Sequence, residues 1–314
     1  MEITEKWKVC LKYNIMGAAD VISPTADPFD PDAFYISDGW GTAYGAIRLR
    51  RLSLETGEEL ANVLARDVTR YIYADRDFIY AILSERILKL NRGDLSIQES
   101  YKKNVPKYSD YAEFVDEDTL LLMNYYGGTI ACFNLQALKS RRKKVDVQYV
   151  YYGIIKKDAE KTFLVFQERA VFRYSPETNT VKKLTDTEPC IRCAMGNSGK
   201  IYLLCRDSVQ KVSEDGKENP FSSKVLVYSS LSENVYEELE LGCTARYIWL
   251  SGEEDLLYTA NNGEFGIYSI AEKRLIFRHV FEDGFIYNFF VEAGKVLIYN
   301  KDEYSLTCYE ITSV

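Results

Sequence analysis

The stretch "ARYIWLSGEEDLLYTANNGEFGIYSIAEKRLIFRHVF", Ala245–Phe281, contains four short apolar runs separated by three polar turns. The runs are rich in aromatic and β-branched residues, and the turns are rich in Gly, Asn and charged residues, which is the pattern of consecutive strands. Turns this short join neighbouring strands in antiparallel order. Few charges alternate within the runs, so both faces of the sheet are expected to be buried. The stretch therefore predicts one four-stranded antiparallel sheet covered on both sides.

The same pattern recurs along the whole chain. Each copy can be located by the first large apolar residue of its second run. These residues are Phe34, Phe78, Leu120, Phe163, Ile201, Leu256 and Val296. Successive members of this series are separated by 44, 42, 43, 38, 55 and 40 residues. A repeat of this length predicts a propeller or an array rather than a two-domain enzyme. Two segments, "NLQALKSRRKKV" and "SLSENVYEELEL", have some helical periodicity, but they fall where an outer strand is due, and strand is favoured there.

The two ends of the chain complement each other. The seventh unit ends at "YEITSV" after three strands, and a surplus strand, "WKVCLKY", precedes the first unit, with Trp7, Val9, Leu11 and Tyr13 expected on one face. We therefore predict an all-β fold: a seven-bladed β-propeller of four-stranded antiparallel blades, with the ring closed by the N-terminal strand. The predicted bounds are a single domain at 1–314, with a closing strand at about 5–13 and blades at about 17–65, 68–104, 108–147, 149–186, 189–241, 244–281 and 285–314.

Two phrases resemble a known superfamily. "RLSLETGEEL", Arg51–Leu60, is similar to the phrase that spans the third strand, turn and fourth strand in quinoprotein-like repeats, and "FRYSPETNTVKKL", Phe172–Leu184, is a looser copy. The chain thus resembles the quinoprotein-like, YVTN-like and WD-repeat-like seven-bladed propellers. It lacks the Gly-His and Trp-Asp signatures of WD repeats and the repeated Trp-bearing motif of quinoprotein dehydrogenases. The resemblance therefore implies the fold, and quinone-cofactor binding is not carried over from it. We expect no cofactor.

The overall charge limits the partners. The formal net charge is -8 and the pI is about 5.1, so we expect no general binding to nucleic acid or to anionic membranes.

The N-terminus "MEITEKWKVCLKYNIM" has no apolar core of an export signal, which predicts a cytoplasmic protein. The seven cysteines have no framework spacing, and buried, reduced thiols are expected.

Candidate binding residues come from the turns between second and third strands. Because strand direction alternates within a blade, all seven of these turns are expected on one rim of the propeller. Aromatic, amide and arginine side chains held on rigid hairpins are typical of recognition surfaces. The candidates are Asp38, Trp40, Tyr44, Asn124, Tyr125, Tyr126, Arg169, Arg206, Asn261, Asn262 and Lys301. Each of them has an equally good interpretation as an ordinary solvated turn residue.

Two motifs suggest chemistry but have simpler interpretations. "YISDGWGTAYGAIRL", Tyr35–Leu49, has glycines near the spacing of a dinucleotide fingerprint, but Gly45 comes one residue late and a strand follows instead of a helix. A lengthened hairpin turn is favoured. "CIRC", Cys190–Cys193, lies on an expected strand, where residues three apart point to opposite faces, so buried structural cysteines are favoured over a metal site.

Three further segments are weighed in the same way. "DPFDPD", Asp27–Asp32, has carboxylates that suit Ca²⁺, but a stiff extended connector is favoured. "KSRRKK", Lys139–Lys144, is expected to be a solvated outer hairpin, with docking of an acidic partner as the alternative. The long interval before the sixth unit contains "EDGKENPFSSK", Glu214–Lys224, which we expect to project as a loop and to contribute to partner binding.

No catalytic pattern emerges from the sequence. The single histidine, His279, is expected on an outer strand, and no nucleophile elbow or carboxylate pair stands out. The leading hypothesis is a non-catalytic scaffold that binds a protein or peptide on the rim, without metal or cofactor. Two alternatives remain open at this point: a propeller hydrolase or lyase with its site at the channel mouth, and a small-molecule sensor.

Overall fold

The computed structural model describes residues 1–10, 21–38, 47–124, 129–144, 154–157, 162–166, 169–205, 222–230, 235–261, 263–281, 288–292, 294–300, 303 and 305–312. In these residues it contains 28 β-strands and no α-helix. Accordingly, the described part of the chain has no helix with the length and hydropathy that a membrane crossing requires. The strands form seven four-stranded sheets, A to G, each antiparallel throughout.

Each sheet follows chain order except sheet A, which combines both ends of the chain. Sheet A contains β1 (Glu2–Cys10), β26 (Asn288–Glu292), β27 (Lys295–Asn300) and β28 (Ser305–Thr312). Sheet B contains β2 (Val21–Ala26), β3 (Ala33–Asp38), β4 (Arg48–Ser53) and β5 (Glu59–Leu64). Sheet C contains β6 (Thr69–Ala74), β7 (Phe78–Leu83), β8 (Ile87–Asn91) and β9 (Ile97–Tyr101). Sheet D contains β10 (Tyr111–Asp116), β11 (Thr119–Met123), β12 (Thr129–Asn134) and β13 (Lys139–Lys144).

The remaining sheets have the same order. Sheet E contains β14 (Ile154–Lys157), β15 (Thr162–Phe166), β16 (Ala170–Ser175) and β17 (Thr180–Asp186). Sheet F contains β18 (Cys190–Met195), β19 (Ile201–Cys205), β20 (Ser222–Ser230) and β21 (Val235–Ala245). Sheet G contains β22 (Tyr247–Leu250), β23 (Leu256–Asn261), β24 (Glu264–Ser269) and β25 (Arg274–Val280). The predicted fold class is confirmed: the chain is a seven-bladed β-propeller of four-stranded antiparallel blades, and the N-terminal strand completes the last blade.

The chain divides into two compact units. Unit 1, Met1–Asp146 with Ile286–Val314, contains sheets A to D, and unit 2, Val147–Phe285, contains sheets E to G. In both units the second strand of a sheet is buried on both faces, as in Ile79–Leu83 of β7 and Ile201–Cys205 of β19. This burial explains why the apolar runs in the sequence are continuous rather than alternating.

The N-terminal strand joins sheet A to sheet B within unit 1. β1 pairs with β28 from Glu2 opposite Thr312 to Cys10 opposite Ser305. The Trp7 ring stacks on Phe34 with 6.4 Å between centroids, and its Nε1 donates to the Leu54 carbonyl at 3.0 Å. Gly57 lies against the same ring at φ +75, and a Cβ there would come within 2.7 Å of it. The turn of sheet B thus requires a glycine where the indole covers it.

Turns between third and fourth strands have one common design. Where such a turn is described, the third strand ends at a Ser or Asn whose side chain accepts a backbone N–H two or three residues later, which initiates the turn. The fourth residue after it has a left-handed backbone. The acceptors are Ser53, Asn91, Asn134, Ser175 and Ser269, and the left-handed residues are Gly57, Leu95, Leu138, Asn179 and Lys273.

The "DPFDPD" segment is a tight turn between β2 and β3, so the prediction of an extended connector is wrong. Each proline fixes its own φ and restricts the residue before it, but neither restriction prevents a turn. The Asp27 and Asp30 side chains accept backbone N–H groups two residues later, which folds the chain back on itself. Asp27 accepts hydrogen bonds from the Phe29 N–H at 2.9 Å and the Tyr35 hydroxyl at 2.6 Å, and it pairs with Arg92 of sheet C at 3.0 Å. The other two carboxylates bind their own donors: Asp30 pairs with Arg51, and Asp32 accepts from the Ser53 hydroxyl at 3.0 Å.

Two predictions about local structure are confirmed. The segments with some helical periodicity form the outer strands β13 and β21, because each pairs with the third strand of its sheet. The glycine-rich stretch joins β3 to β4, which pair antiparallel from Ala33 opposite Ser53 to Ser37 opposite Leu49. A strand therefore follows these glycines, as predicted, and the helix that a dinucleotide fingerprint requires is absent from the described residues there. Residues 39–46 themselves lie outside the described residues.

Candidate functional site

A cleft of about 930 Å³ lies between sheets C and D in unit 1. It is built from the two connectors that lead into these sheets, residues 65–68 and 102–109, from the turn at 84–86 in sheet C, and from residues at the adjoining ends of β11, β12 and β13 in sheet D. We call it the C–D cleft. Its lining residues in the described chain are Arg66, Asp67, Glu85, Arg86, Lys102, Asn104, Val105, Pro106, Lys107, Ser109, Leu122, Asn124, Thr129, Ala131 and Arg142.

The connector before β10 is held in place by its own backbone. The Tyr108 N–H donates to the Ser84 carbonyl at 2.7 Å, and the Asp110 N–H donates to the Met123 carbonyl at 2.8 Å. Asn104 and Tyr108 have left-handed backbones, with φ of 60 and 56, which turns the connector twice in a few residues. The Asn104 amide donates to the Leu138 carbonyl at 2.9 Å, so both sheets position this wall of the cleft.

The connector also carries an ion pair and a stacked cation next to the cleft. Arg70 of β6 pairs with Asp110 and lies over the Tyr108 ring, with 5.3 Å from the guanidinium carbon to the ring centroid. A guanidinium above an aromatic face is attracted by the ring quadrupole. Tyr108 is nevertheless 47% exposed, so it presents an aromatic surface beside the cleft without being part of its lining.

The floor of the C–D cleft is mostly apolar and the walls are charged. The buried lining residues, which we call the floor, are Val105, Pro106, Leu122 and Ala131 together with the polar Ser109. Among the other lining residues, five are cationic and two are acidic. The lining is therefore net positive, in a chain whose formal net charge is -8.

Part of this charge is satisfied within the protein. Lys107 pairs with Glu85 at 2.7 Å, and the hydrogen bond raises the pKa of Lys107 above its ordinary value. The Arg86 guanidinium donates to the Ala65 carbonyl, and Asp67 accepts the N–H of Val68 at 2.7 Å.

The other cations have no such partner. Arg66, Lys102 and Arg142 are exposed, and their side chains make no ion pair or hydrogen bond with any residue that the structure describes. Three positive side chains from three separate elements are thus free to meet a ligand in the cleft.

The structure places three of the predicted rim residues and part of a fourth. Asn124 lies in the C–D cleft, half-buried, with its amide 3.5 Å from the Lys107 carbonyl. Arg169 is exposed before β16, and Asn261 is 9% exposed with its amide donating to the Thr244 hydroxyl at 2.9 Å. Asp38 is the last residue of β3. Outside the described residues lie Trp40, Tyr44, Tyr125, Tyr126, Arg206, Asn262 and Lys301.

Arg66, Lys102 and Lys107 were not among the predicted site residues. These residues lie on connectors between sheets, whereas the prediction rested on turns within a sheet. The sequence did contain a signal for these connectors. Because strand direction alternates within a sheet, the connector that follows each fourth strand begins at the same end of the sheet as the turn between the second and third strands. Arg142 belongs to "KSRRKK", whose strand β13 was considered as a docking point for an acidic partner.

The faces predicted for Cys190 and Cys193 are wrong. A bulge places Cys190 opposite Cys205 and Cys193 opposite Leu203, and these two partners lie two residues apart on β19. The extra residue in β18 therefore turns both cysteines to the same face. Burial raises the pKa of all three thiols, to about 12 for Cys193 and Cys205, so they stay protonated at neutral pH.

Two other expectations concern metal ions and the long loop before the sixth unit. In the described residues, no group of three or more His, Cys, Asp or Glu side chains is arranged to hold a metal ion. Residues 206–221, which include most of the expected projecting loop, lie outside the described residues. Its last residue, Lys224, is in β20 and pairs with Glu188 at 2.8 Å and Glu238 at 3.3 Å.

Comparison with known proteins gives similarity in fold alone. No protein-family model and no curated protein matches the sequence. Among solved structures, the Neurospora crassa Pan2 WD40 domain is similar with a TM-score of 0.71 and 10% identity, over 99% of this chain and 96% of that one. BamB from Moraxella catarrhalis is similar with a TM-score of 0.54 and 11% identity, over 100% of this chain and 99% of that one.

Proposed function

We propose that this propeller is a non-catalytic binding protein, and that the C–D cleft is the part of its rim that contacts a protein or peptide partner. The observation that carries this proposal is the cleft itself: an open volume of about 930 Å³ with an apolar floor and unpaired cations in its walls. Apolar floors with a few directed polar groups are typical of binding sites.

The rigidity of the walls supports this function. Leu122 and Thr129 lie in the paired strands β11 and β12, and the connector opposite is fixed by backbone hydrogen bonds to Ser84 and Met123. A site that is formed before binding loses less conformational entropy when a partner arrives. The WD40 and BamB likeness supports the scaffold architecture on which such a site is carried.

Site-specific photocrosslinking in cells tests the proposal. A photoreactive phenylalanine replaces Lys103, an exposed residue beside the cleft, and in a matched variant it replaces Glu58, an exposed residue on the turn between β4 and β5. We expect a discrete crosslinked protein from position 103 and none from position 58. The same products from both positions, or no product from position 103, would contradict the proposal.

A further inference from the structure

The partner's chemistry follows from the unpaired charges of the C–D cleft, and this inference rests on the proposed function. Arg66 comes from the connector before β6, Lys102 from the connector before β10, and Arg142 from the outer strand β13. All three are exposed and make no ion pair with a described residue. Like charges that line one cavity repel each other, and a negatively charged occupant removes that cost.

The floor of the cleft adds a second requirement. Val105, Pro106, Leu122 and Ala131 present an apolar surface below these cations, and the amides of Asn104 and Asn124 lie in the walls. A small inorganic anion would leave this floor uncovered. The volume of about 930 Å³ also exceeds what a single carboxylate or phosphate fills.

We infer that the C–D cleft binds an acidic peptide segment, with an apolar side chain seated on the floor and Asp or Glu side chains paired with Arg66, Lys102 and Arg142. Arginine suits this ligand because its planar guanidinium binds a carboxylate through two parallel hydrogen bonds.

The strand β13 extends the attraction beyond the cleft. Five of its six residues are Lys or Arg, and it is the outer strand of sheet D. Arg142 is common to the strand and the cleft, so the two positive surfaces are continuous. Acidic residues that flank the bound segment therefore meet further cations, which increases the association rate at low ionic strength.

Nucleic acid fits this surface less well than an acidic peptide. None of the described lining residues is aromatic, so these residues offer no ring on which a base can stack. Tyr108, beside the cleft, already has the Arg70 guanidinium over its ring. Asp67 and Glu85 also line it, and a long phosphate chain would continue onto a protein with a net charge of -8. The site is suited to a short stretch of negative charge.

A phage-displayed library of random peptides, selected on the full chain, tests this inference. The enriched peptides are then measured by fluorescence anisotropy together with isosteres in which Gln and Asn replace Glu and Asp. We expect enriched sequences rich in Asp and Glu with at least one large apolar residue, and isosteres that bind at least about tenfold more weakly. Enrichment of neutral or basic sequences, or no enrichment, would overturn the inference.

Charge-matched variants locate the binding. The cleft variant combines Arg66→Gln, Lys102→Gln and Arg142→Gln. The control combines Lys182→Gln, Lys183→Gln and Lys200→Gln, which removes the same charge from unit 2. We expect the cleft variant to bind the acidic peptide at least about tenfold more weakly than the wild type does. The control should bind it with unchanged affinity. Equal losses in both would overturn the inference, as would a single-stranded oligonucleotide that binds to the cleft more tightly than the peptide.

The two proposals fail in distinguishable ways. If position 103 crosslinks a partner whose captured segment is neutral or basic, the inference about acidic peptides is wrong and the proposed function stands. If position 103 captures nothing and no selected peptide depends on the cleft cations, both are wrong.

Discussion

The two sides of unit 1 differ in how many of their cations have a partner within the protein. One side is formed by the turn between β2 and β3 and by the turns between third and fourth strands. There, cations and aromatic rings of one sheet contact carboxylate or carbonyl groups of the neighbouring sheet. Arg92 of sheet C pairs with Asp27 of sheet B, and Trp7 of sheet A caps the Leu54 carbonyl of sheet B. On the other side, the C–D cleft leaves Arg66, Lys102 and Arg142 without a partner in the described chain.

This difference assigns stability to the paired charges, which on the cleft side include Arg70–Asp110 and Lys107–Glu85, and binding to the unpaired ones. Paired, partly buried charges fasten neighbouring sheets together, whereas exposed unpaired charges add nothing to folding and are available for a ligand. Substitutions of the paired groups on the first side should therefore lower the free energy of unfolding, and substitutions of Arg66, Lys102 and Arg142 in the cleft should leave it unchanged.

The largest effect is expected from Trp7→Ala. The substitution removes the stacking on Phe34 and the hydrogen bond to Leu54, and it leaves a cavity where sheets A and B meet. We expect a loss of about 3 kcal/mol in the free energy of unfolding, the low end for a Trp because the ring is half-buried. Urea unfolding measures it.

Trp7→Phe is the matched control. It keeps an aromatic ring over Phe34 and Gly57 but removes the indole N–H, so we expect a loss of about 1 kcal/mol. Equal stabilities for wild type and Trp7→Ala would show that β1 does not fasten the two sheets.

A smaller effect is expected from Arg92→Met. The Asp27 carboxylate is fully buried, and it loses a cationic partner but keeps the Tyr35 hydroxyl and the Phe29 N–H. We therefore expect a loss of about 2 kcal/mol, below the range for a buried charge left with no partner.

A double-mutant cycle with Asp27→Asn isolates the pair. Lys89→Met serves as the control, because Lys89 pairs with Glu99 at 3.3 Å on the outer strands of the same sheet. A surface pair of this kind contributes at most about 1 kcal/mol. A larger loss for Lys89→Met than for Arg92→Met would contradict the comparison.

A pH-dependent effect is expected at Glu55, on the turn after β4. Hydrogen bonds from Lys6 and Lys295 hold the pKa of Glu55 below its ordinary value of 4.5. The folded state therefore binds the proton less readily than the unfolded state. The resulting stabilisation is present above about pH 4.5 and is lost as the pH falls through the folded pKa.

Glu55→Gln should flatten the acid limb of the stability profile, measured by urea unfolding at a series of pH values below neutrality. Glu58→Gln, on the same turn and without an ion pair among the described residues, should leave the profile unchanged. An unchanged acid limb in Glu55→Gln would show that these ion pairs do not contribute to folding.

The smallest effect on stability is expected from the cleft variant that combines Arg66→Gln, Lys102→Gln and Arg142→Gln. Because these side chains have no partner in the described residues, the free energy of unfolding should change by less than about 0.5 kcal/mol. A loss of about 2 kcal/mol or more would show that the cleft cations are structural, and would remove the distinction between the two sides.

The candidate site was only partly predictable. Asn124 was found because it follows an apolar run and begins a turn, a pattern that is local in sequence. Lys102 and Arg66 were missed because their role depends on where a connector passes relative to the next sheet. The shared face of Cys190 and Cys193 was missed for a related reason: a bulge is one extra residue in a ladder, and only the partner strand shows it.

The sequence by itself determined the repeat, the seven blades and the N-terminal strand that completes the last one. Burial on both faces requires continuous apolar runs, and the regular spacing of those runs can be counted in a single chain. Only the tertiary structure decided which charges are satisfied. Asp27 lies 65 positions from Arg92 in the chain, yet its Oδ2 is 3.0 Å from the Arg92 Nη1. Arg142, by contrast, has no side-chain partner in the described part of the chain. Pairing depends on distance in space, which the order of residues does not record.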